Sequence, residues 1–311
     1  VEEPDRERGR MILAAVAHWG VLGAVKKFNG MFAFALWDRR DRVLYLCRDR
    51  LGEKPLYYGW LGDEFVFGSE LKGLAEHPAW SGEVDRGALA LYMRQSCVPA
   101  PYSIYRGVMK LMPGTLLELP WTGEGRKHAG TTHTYWSATQ VATAALADPF
   151  RGSVTEAEAE LDAVLRRAVA SRMESDVPLG AFLSGGIDSS TVTALMQAQS
   201  SRPVRTFSIG FAEQAYDETA HARAVAEHLG TAHTSLIVTP EEAMATIPRL
   251  AGIYDEPFAD SSEIPTLLVS ELAKHDVTVA LSGDGGDELF GGYTRHFVGG
   301  TMWPAMRLIP H

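Results

Sequence analysis

Residues 179–183, Leu-Gly-Ala-Phe-Leu, form a short apolar run, and Ser184-Gly185-Gly186-Ile187-Asp188-Ser189-Ser190 follows it at once. Thr191-Val192-Thr193-Ala194-Leu195-Met196 comes next, with helical length and content. A buried strand must therefore turn through a glycine loop directly into a helix. Gly185 and Gly186 lack a Cβ, so backbone N–H groups there can approach a ligand closely. The first free amides of the helix then point at an anion, with the helix dipole behind them. Ser184, Ser189 and Ser190 add hydroxyl donors, and Asp188 supplies an oxygen for a Mg²⁺ that would offset phosphate charge. The competing reading is a Gly/Ser turn that holds nothing. No lysine stands in the loop, which excludes the Gly-Lys-Ser/Thr ending of a Walker A motif.

A second loop argues against the empty turn. Val277-Thr278-Val279-Ala280-Leu281 has the β-branched character of a buried strand and runs into Ser282-Gly283-Asp284-Gly285-Gly286-Asp287-Glu288. Its glycines permit close backbone approach, and Asp284, Asp287 and Glu288 offer hard oxygen ligands. An acidic loop facing a phosphate loop needs a cation between them. Residues 205–211 alternate as another strand, 217–229 carry helical spacing, and 231–238 return as a strand. Thr239, Pro240 and Glu242 then make a helix start with a cap, a first-position proline and a glutamate at the third position. Strand, helix, strand, helix predicts a parallel α/β sheet. Its ligands belong outside the carboxyl ends of the strands, which brings Leu183, Ile209 and Ser282 to one crevice.

The 184–190 loop resembles that of ATP-dependent ligases that attack the α-phosphate and release pyrophosphate. With Phe207-Ser208-Ile209-Gly210-Phe211, Tyr254-Asp255-Glu256-Pro257 and the acidic loop at 282–288, residues from about 155 to 293 resemble the synthetase domain of the glutamine-hydrolysing asparagine synthetases. That resemblance implies ATP-dependent conversion of aspartate to asparagine through β-aspartyl-AMP, with glutamine or ammonia as nitrogen donor. It implies that Leu183, Ile209, Ser282 and Gly283 contact the adenylate, that Asp188 and Asp287 hold Mg²⁺, and that Asp284 acts near the acyl-adenylate. Many family members carry Glu at the position of Asp284.

The first third reads differently. Residues 30–37 and 43–47 form strand, turn and strand, and residues 55–60 and 64–68 form a further hairpin around Gly62-Asp63. Adjacent hairpins predict an antiparallel sheet and a second domain. Residues 30–74 resemble the latter half of an N-terminal-nucleophile glutaminase domain. Its most recognisable stretch, Arg48-Asp49-Arg50-Leu51-Gly52-Glu53-Lys54-Pro55-Leu56-Tyr57-Tyr58, reads as mainly structural. The expected fold is a partial glutaminase sheet domain over 1–120, a linker over 121–152 and a partial Rossmann-like ATP-pyrophosphatase domain over 153–311. Within the linker, Gly123, Gly125 and Gly130 interrupt any period, and Thr155-Glu156-Ala157-Glu158 reads as a capping box. The helix it opens is expected to bury Leu161, Val164, Leu165, Ala168 and Val169 on one face.

A glutaminase of this class begins with a cysteine whose α-amine is the base, whereas this chain begins Val1-Glu2-Glu3-Pro4, with Asp5-Arg6-Glu7-Arg8-Gly9-Arg10 next and a helical pattern from 11 to 28. The glutaminase half-reaction therefore shows no catalytic residues. Cys47 and Cys97 read as buried inert thiols, and the histidines form no metal cluster. The family's synthetase domain continues well past the acidic loop, so Arg307-Leu308-Ile309-Pro310-His311 reads as the end of a fragment, with the apolar residues of 302–306 left without their packing partner. A net charge of −10 gives no footprint for nucleic acid, and no apolar run reaches membrane-spanning length. The expectation is a cytoplasmic enzyme of small-molecule substrates, with a homodimer as an admissible assembly. Two other readings compete: a β-lactam synthetase-like or lasso-peptide cyclase-like adenylating relative, and a non-catalytic nucleotide-binding remnant.

Overall fold

A computed structural model describes residues 3–121, 130–211 and 219–307. The chain divides into two compact units, Val1–Arg151 with Arg249–Asp260, and Gly152–Pro248 with Ser261–His311.

In the first unit, period-two patterning builds two antiparallel sheets. Helix α1 (Glu3–Val25), kinked at Gly20, leads into β1 (Ala33–Asp38) and β2 (Val43–Arg48). Strands β3 (Tyr57–Leu61) and β4 (Glu64–Gly68) precede helices α2 (Leu71–Ala75) and α3 (Arg86–Gln95). Then come β5 (Val108–Lys110), β6 (Thr115–Pro120), β7 (Thr131–Thr134) and helix α4 (Ala138–Ala147). One sheet has the order β1-β2-β6-β7 and the other β4-β3-β5, so the two predicted hairpins lie in separate sheets. Leu46 pairs with Leu117 and Cys47 with Leu116. Because side chains alternate along a strand, the leucine pair meets Leu56, Leu111, Tyr58 and Phe65 on one face, while Cys47 and Leu116 pack with Val25 of α1, Phe32 and Phe34 on the other. Helices α2 and α3 cover the second sheet through Leu71, Leu74 and Ala88.

The second unit is the parallel α/β sheet. Helix α5 (Val154–Met173) and β8 (Leu179–Phe182) lead to α6 (Ile187–Gln199) and β9 (Arg205–Phe211). Helix α7 (Thr219–Leu229), β10 (Ala232–Val238) and α8 (Pro240–Ile253) follow. The chain continues through α9 (Glu263–Lys274), β11 (Val279–Leu281), α10 (Gly286–Phe290) and α11 (Thr294–Met306). The sheet order is β10-β9-β8-β11, all parallel. Strands 8, 9 and 10 proceed in one direction and β11 returns to the other side of β8, which places a topological switch point between β8 and β11. Ala181 packs with Leu195 and Met196 of α6, and Leu183 with Ala222 and Ala226 of α7. Phe207 packs with Ala273 of α9 and Val277, and Phe182 joins them. Helices therefore cover both faces.

Several expectations are corrected. The stretch read as linker contains β7 and α4. Thr131-Thr132-His133-Thr134 is rich in β-branched threonine, and its pairing with β6 gives it a ladder that short polar strands lack alone. The cap of α5 is Ser153, with reciprocal bonds to Glu156, rather than Thr155. On α5 only Val169 is buried, while Leu161 and Val164 are exposed. Cys47 is buried but Cys97 is exposed. The helix expected from 11 begins at Glu3. Val1, Glu2, Gly123, Gly125, Asp217 and residues 308–311 lie outside the described residues.

Candidate active site

The loops after β8 and β11 meet because glycine removes what would keep them apart. β11 runs alongside β8 with Leu281 opposite Ala181, so both loops leave neighbouring strand ends. A Cβ on Gly283 would stand 2.7 Å from the Ser189 backbone nitrogen and 3.1 Å from Asp188 Cβ. A Cβ on Gly286 would run into the Asp188 carboxylate itself. Gly185 adopts a φ of +84°, and its missing Cβ leaves room for the start of α7, where the Ala222 nitrogen and His221 Cβ would each be 2.8 Å away. His221 has no counterpart in the sequence reading, because an exposed histidine opening a helix carries no motif signal.

Hydroxyls shape the first loop from within. Ser189 is buried, and its Oγ accepts from the Ser184 amide at 3.2 Å and lies 2.9 Å from Ser184 Oγ. Ser184 Oγ in turn accepts from the Gly186 amide at 3.2 Å. Gly186 caps α6 without any side-chain bond, so the first amides of that helix are not covered by a capping side chain. Ser190 Oγ is buried with no hydrogen-bond partner among the described residues.

The acidic loop is ordered by its own side chains. Ser282 Oγ donates to Asp284 Oδ2 at 2.9 Å and accepts from the Asp284 amide at 3.4 Å. Asp284 is exposed, Asp287 half-buried. The Asp287 carboxylate lies against Gly292. Tyr293 Oη donates to Glu288 Oε1 at 2.6 Å, and that bond holds the Glu288 carboxyl below its ordinary pKa. Arg295 stacks on the Tyr293 ring at 4.3 Å. Glu288 is thus turned toward Tyr293 and Arg295.

Leu183 is buried at the end of β8, its amide donating to the Phe207 carbonyl at 2.9 Å. Ile209 sits farther along β9, paired with Leu236. The structure therefore brings residues 183–190, 282–283 and 286 together at one end of the sheet, with Asp188 at the contact between the loops. Among the described residues no three of His, Cys, Asp and Glu gather as a metal group. Mg²⁺ commonly takes only one or two carboxylates and completes its shell with water and phosphate oxygens. The Asp188 carboxylate, cradled against Gly286, fits such a role, and Asp287 is the nearest acid in sequence to that cradle.

In the first unit, the recognisable stretch from Arg48 is a structural clasp. Asp49 is buried and accepts from the amides of Phe32 at 3.2 Å, Glu53 at 2.9 Å and Lys54 at 2.9 Å. Arg48 donates to the carbonyls of Lys54, Gly52 and Leu111. Burial pushes the Cys47 thiol up to about 12, which marks it as unreactive.

The chain matches the asparagine synthase family over residues 160–310 and the glutamine amidotransferase domain family over residues 6–136. It is 41% identical to a putative glutamine-hydrolysing asparagine synthetase 2 of Methanocaldococcus jannaschii, over 89% of this chain and 52% of that protein. It is 38% identical to glutamine-hydrolysing asparagine synthetase 1 of Bacillus subtilis, over 91% of this chain and 42% of that protein. The amidase chyE of Penicillium rubens is 29% identical over 96% of this chain and 45% of its own length. The chain spans about half the length of the curated relatives it matches. With a glutamine amidotransferase match followed by an asparagine synthase match, and a glycine-lined meeting of two loops at the switch point of a parallel sheet, the chain is similar to the glutamine-hydrolysing asparagine synthetases in both of its domains.

Proposed function

We propose that the parallel-sheet unit carries the adenylating half of an ATP-dependent amide synthesis, in which aspartate, ATP and glutamine or ammonia give asparagine, AMP and pyrophosphate. The observation that carries this reading is the contact of the 184–190 and 282–288 loops at Asp188, made possible by Gly283 and Gly286. In this role the amides of residues 185–189 and the hydroxyls of Ser184 and Ser190 bind the pyrophosphate being released. Leu183, Ile209, Ser282 and Gly283 flank the adenylate. Asp284 lies at the mouth of the acidic loop, where it orients the carboxylate that attacks the α-phosphate. Asp188 and Asp287 would hold Mg²⁺, which offsets charge on the phosphates when bound. The antiparallel unit, with its amidotransferase match, belongs to nitrogen delivery from glutamine.

Pyrophosphate exchange into ATP, measured with Mg²⁺ and a panel of carboxylates, tests the reading. Exchange that depends on aspartate supports it, and Asp188→Ala should abolish both exchange and Mg²⁺-dependent ATP binding. Unchanged ATP affinity in that variant would sink the metal role. The similarity to a fungal amidase gives a second reading specific grounds, namely the same adenylation directed to another carboxylate. Exchange supported only by a carboxylate other than aspartate would select it.

A further inference from the structure

Tyr254, Asp255, Glu256 and Pro257 carry part of the family likeness without belonging to either loop. Residues Arg249–Asp260 belong to the first unit, although the chain before Arg249 and after Asp260 belongs to the second. Helix α8 crosses that change directly after its internal proline, Pro248, which has no amide to donate into the helix.

Two carboxylates hold the excursion in place. Asp255 Oδ2 accepts from the Leu71 amide at 2.8 Å and Oδ1 from the Lys72 amide at 3.3 Å. These are the opening amides of α2, whose own capping residue, Glu70, makes no side-chain capping bond and instead pairs with Lys72 at 3.5 Å. Lys72 Nζ returns the contact by donating to the Ile253 carbonyl at 2.9 Å. Glu256 is more deeply engaged. Its Oε1 accepts from the Ile104 amide at 2.8 Å, and its Oε2 accepts from Tyr57 Oη at 3.3 Å and pairs with Lys110. The side chains of Glu256 and Lys110 are 9% and 16% exposed, and Lys110 Nζ also donates to the Val98 carbonyl at 2.6 Å. The Ala259 amide adds a bond to the Ser96 carbonyl at 2.7 Å. A cavity of about 310 Å³ borders this contact, lined by Tyr57, Cys97, Lys110, Tyr254, Glu256 and Phe258 among others.

A charge so poorly exposed is tolerated only when it is paired and hydrogen-bonded, and both oxygens of Glu256 are committed to protein donors. Neighbouring acids in a recognisable motif invite a catalytic or metal reading. Their geometry points elsewhere. We propose that Asp255 and Glu256 are the key of an internal docking site, in which residues 253–259 fasten onto a receptor formed by Tyr57, Leu71, Lys72, Ile104 and Lys110. The receptor fits an acidic pair because it offers two backbone amides to the first acid, and an amide, a phenol and an ammonium to the second. Its occupant is this chain's own segment, and the chemistry of the ATP loops does not involve it.

Hydrogen–deuterium exchange on the full chain tests the proposal, with Mg²⁺-ATP binding measured alongside by calorimetry. Glu256→Gln leaves Lys110 without its counter-charge and should speed exchange about tenfold or more at residues 253–260 and 104–110, with α6 and β9 unchanged. The double variant Lys110→Met with Glu256→Gln should exchange no faster than Glu256→Gln alone, because both members of the pair are gone. ATP affinity should stay within about twofold. Unchanged exchange in Glu256→Gln overturns the docking role, and a tenfold loss of ATP affinity overturns the separation from the ATP loops. Should Glu256→Gln fail to fold, Asp255→Asn and Tyr57→Phe remove milder parts of the same contact and should speed exchange in the same segments. No change in either overturns the proposal. These readouts do not depend on ligase activity, so they stand or fall apart from the aspartate exchange assay.

Discussion

Gly286 and Asp188 occupy one volume between them, so the smallest side chain added to the glycine has to displace the carboxylate. Gly286→Ala should lower ATP affinity on the order of tenfold or more, the scale of an overpacking strain, while far-UV circular dichroism stays native. Calorimetry with Mg²⁺-ATP checks this, and undiminished affinity would show that the loops do not share the ligand. A second residue reports through pH. His233 bonds Thr206 Oγ1 at 2.9 Å and Ser208 Oγ at 3.2 Å, and burial, aided by Arg223, holds its pKa below the ordinary 6.5. Since the folded form binds the proton more weakly, stability is fully present above about 6.5 and is lost as pH falls from there to the depressed value. Denaturant midpoints at pH 7.5 and 5.5 should differ less in His233→Gln than in the parent chain. The loop residues were legible in sequence because glycine and serine at a strand-to-helix junction have few other uses. The partners of Glu256 were not, since Tyr57, Ile104 and Lys110 are ordinary residues far away in the chain whose relation to it exists only after folding.

Among elements, the parallel strands could be placed from sequence to within a residue or two, as β9 and β10 illustrate. The strands of this sheet are short, and each is bounded by a turn or a helix start. Helix α8 also starts where its cap was expected, with Thr239 and Glu242 exchanging bonds of 2.9 and 3.2 Å. Helix α5 was harder. Ser153 and Thr155 both precede a glutamate at a plausible distance, and only the Ser153 pairing closes reciprocally. Its apolar stripe reads as a buried face, yet Leu161 and Val164 face outward. Period identifies a stripe without saying whether anything covers it. Helix α3 offers a cleaner measurement, because Asp85 accepts from the Gly87 and Ala88 amides at 2.7 and 3.2 Å. Asp85→Ala should cost about 1 kcal/mol, read as a lower denaturant midpoint at unchanged slope.

At the scale of the whole molecule, both domain types were legible from the change in periodicity, from antiparallel hairpins to alternating strands and helices. The excursion at 249–260 was not, because it has no compositional boundary. No helix among the described residues is long and apolar enough to cross a membrane. Exposed apolar side chains gather instead on the last helices, where Leu289, Phe290, Phe297, Met302 and Trp303 all face outward and Phe297 is 78% exposed. Large apolar side chains left exposed on consecutive helices favour association. Sedimentation velocity on this 311-residue chain should show concentration-dependent assembly, and Phe297→Lys with Trp303→Lys should weaken it.

Proteins emerge from the ribosome amino end first, and domains generally fold as they are completed. Here the first unit is still missing part of its own structure when Arg151 has been made, because Arg249–Asp260 belongs to it. Until that segment is synthesised, Lys110 and the opening amides of α2 wait without their acids. A boundary drawn between the domains at residue 151 would separate them on paper while leaving the amino-terminal piece permanently unfinished.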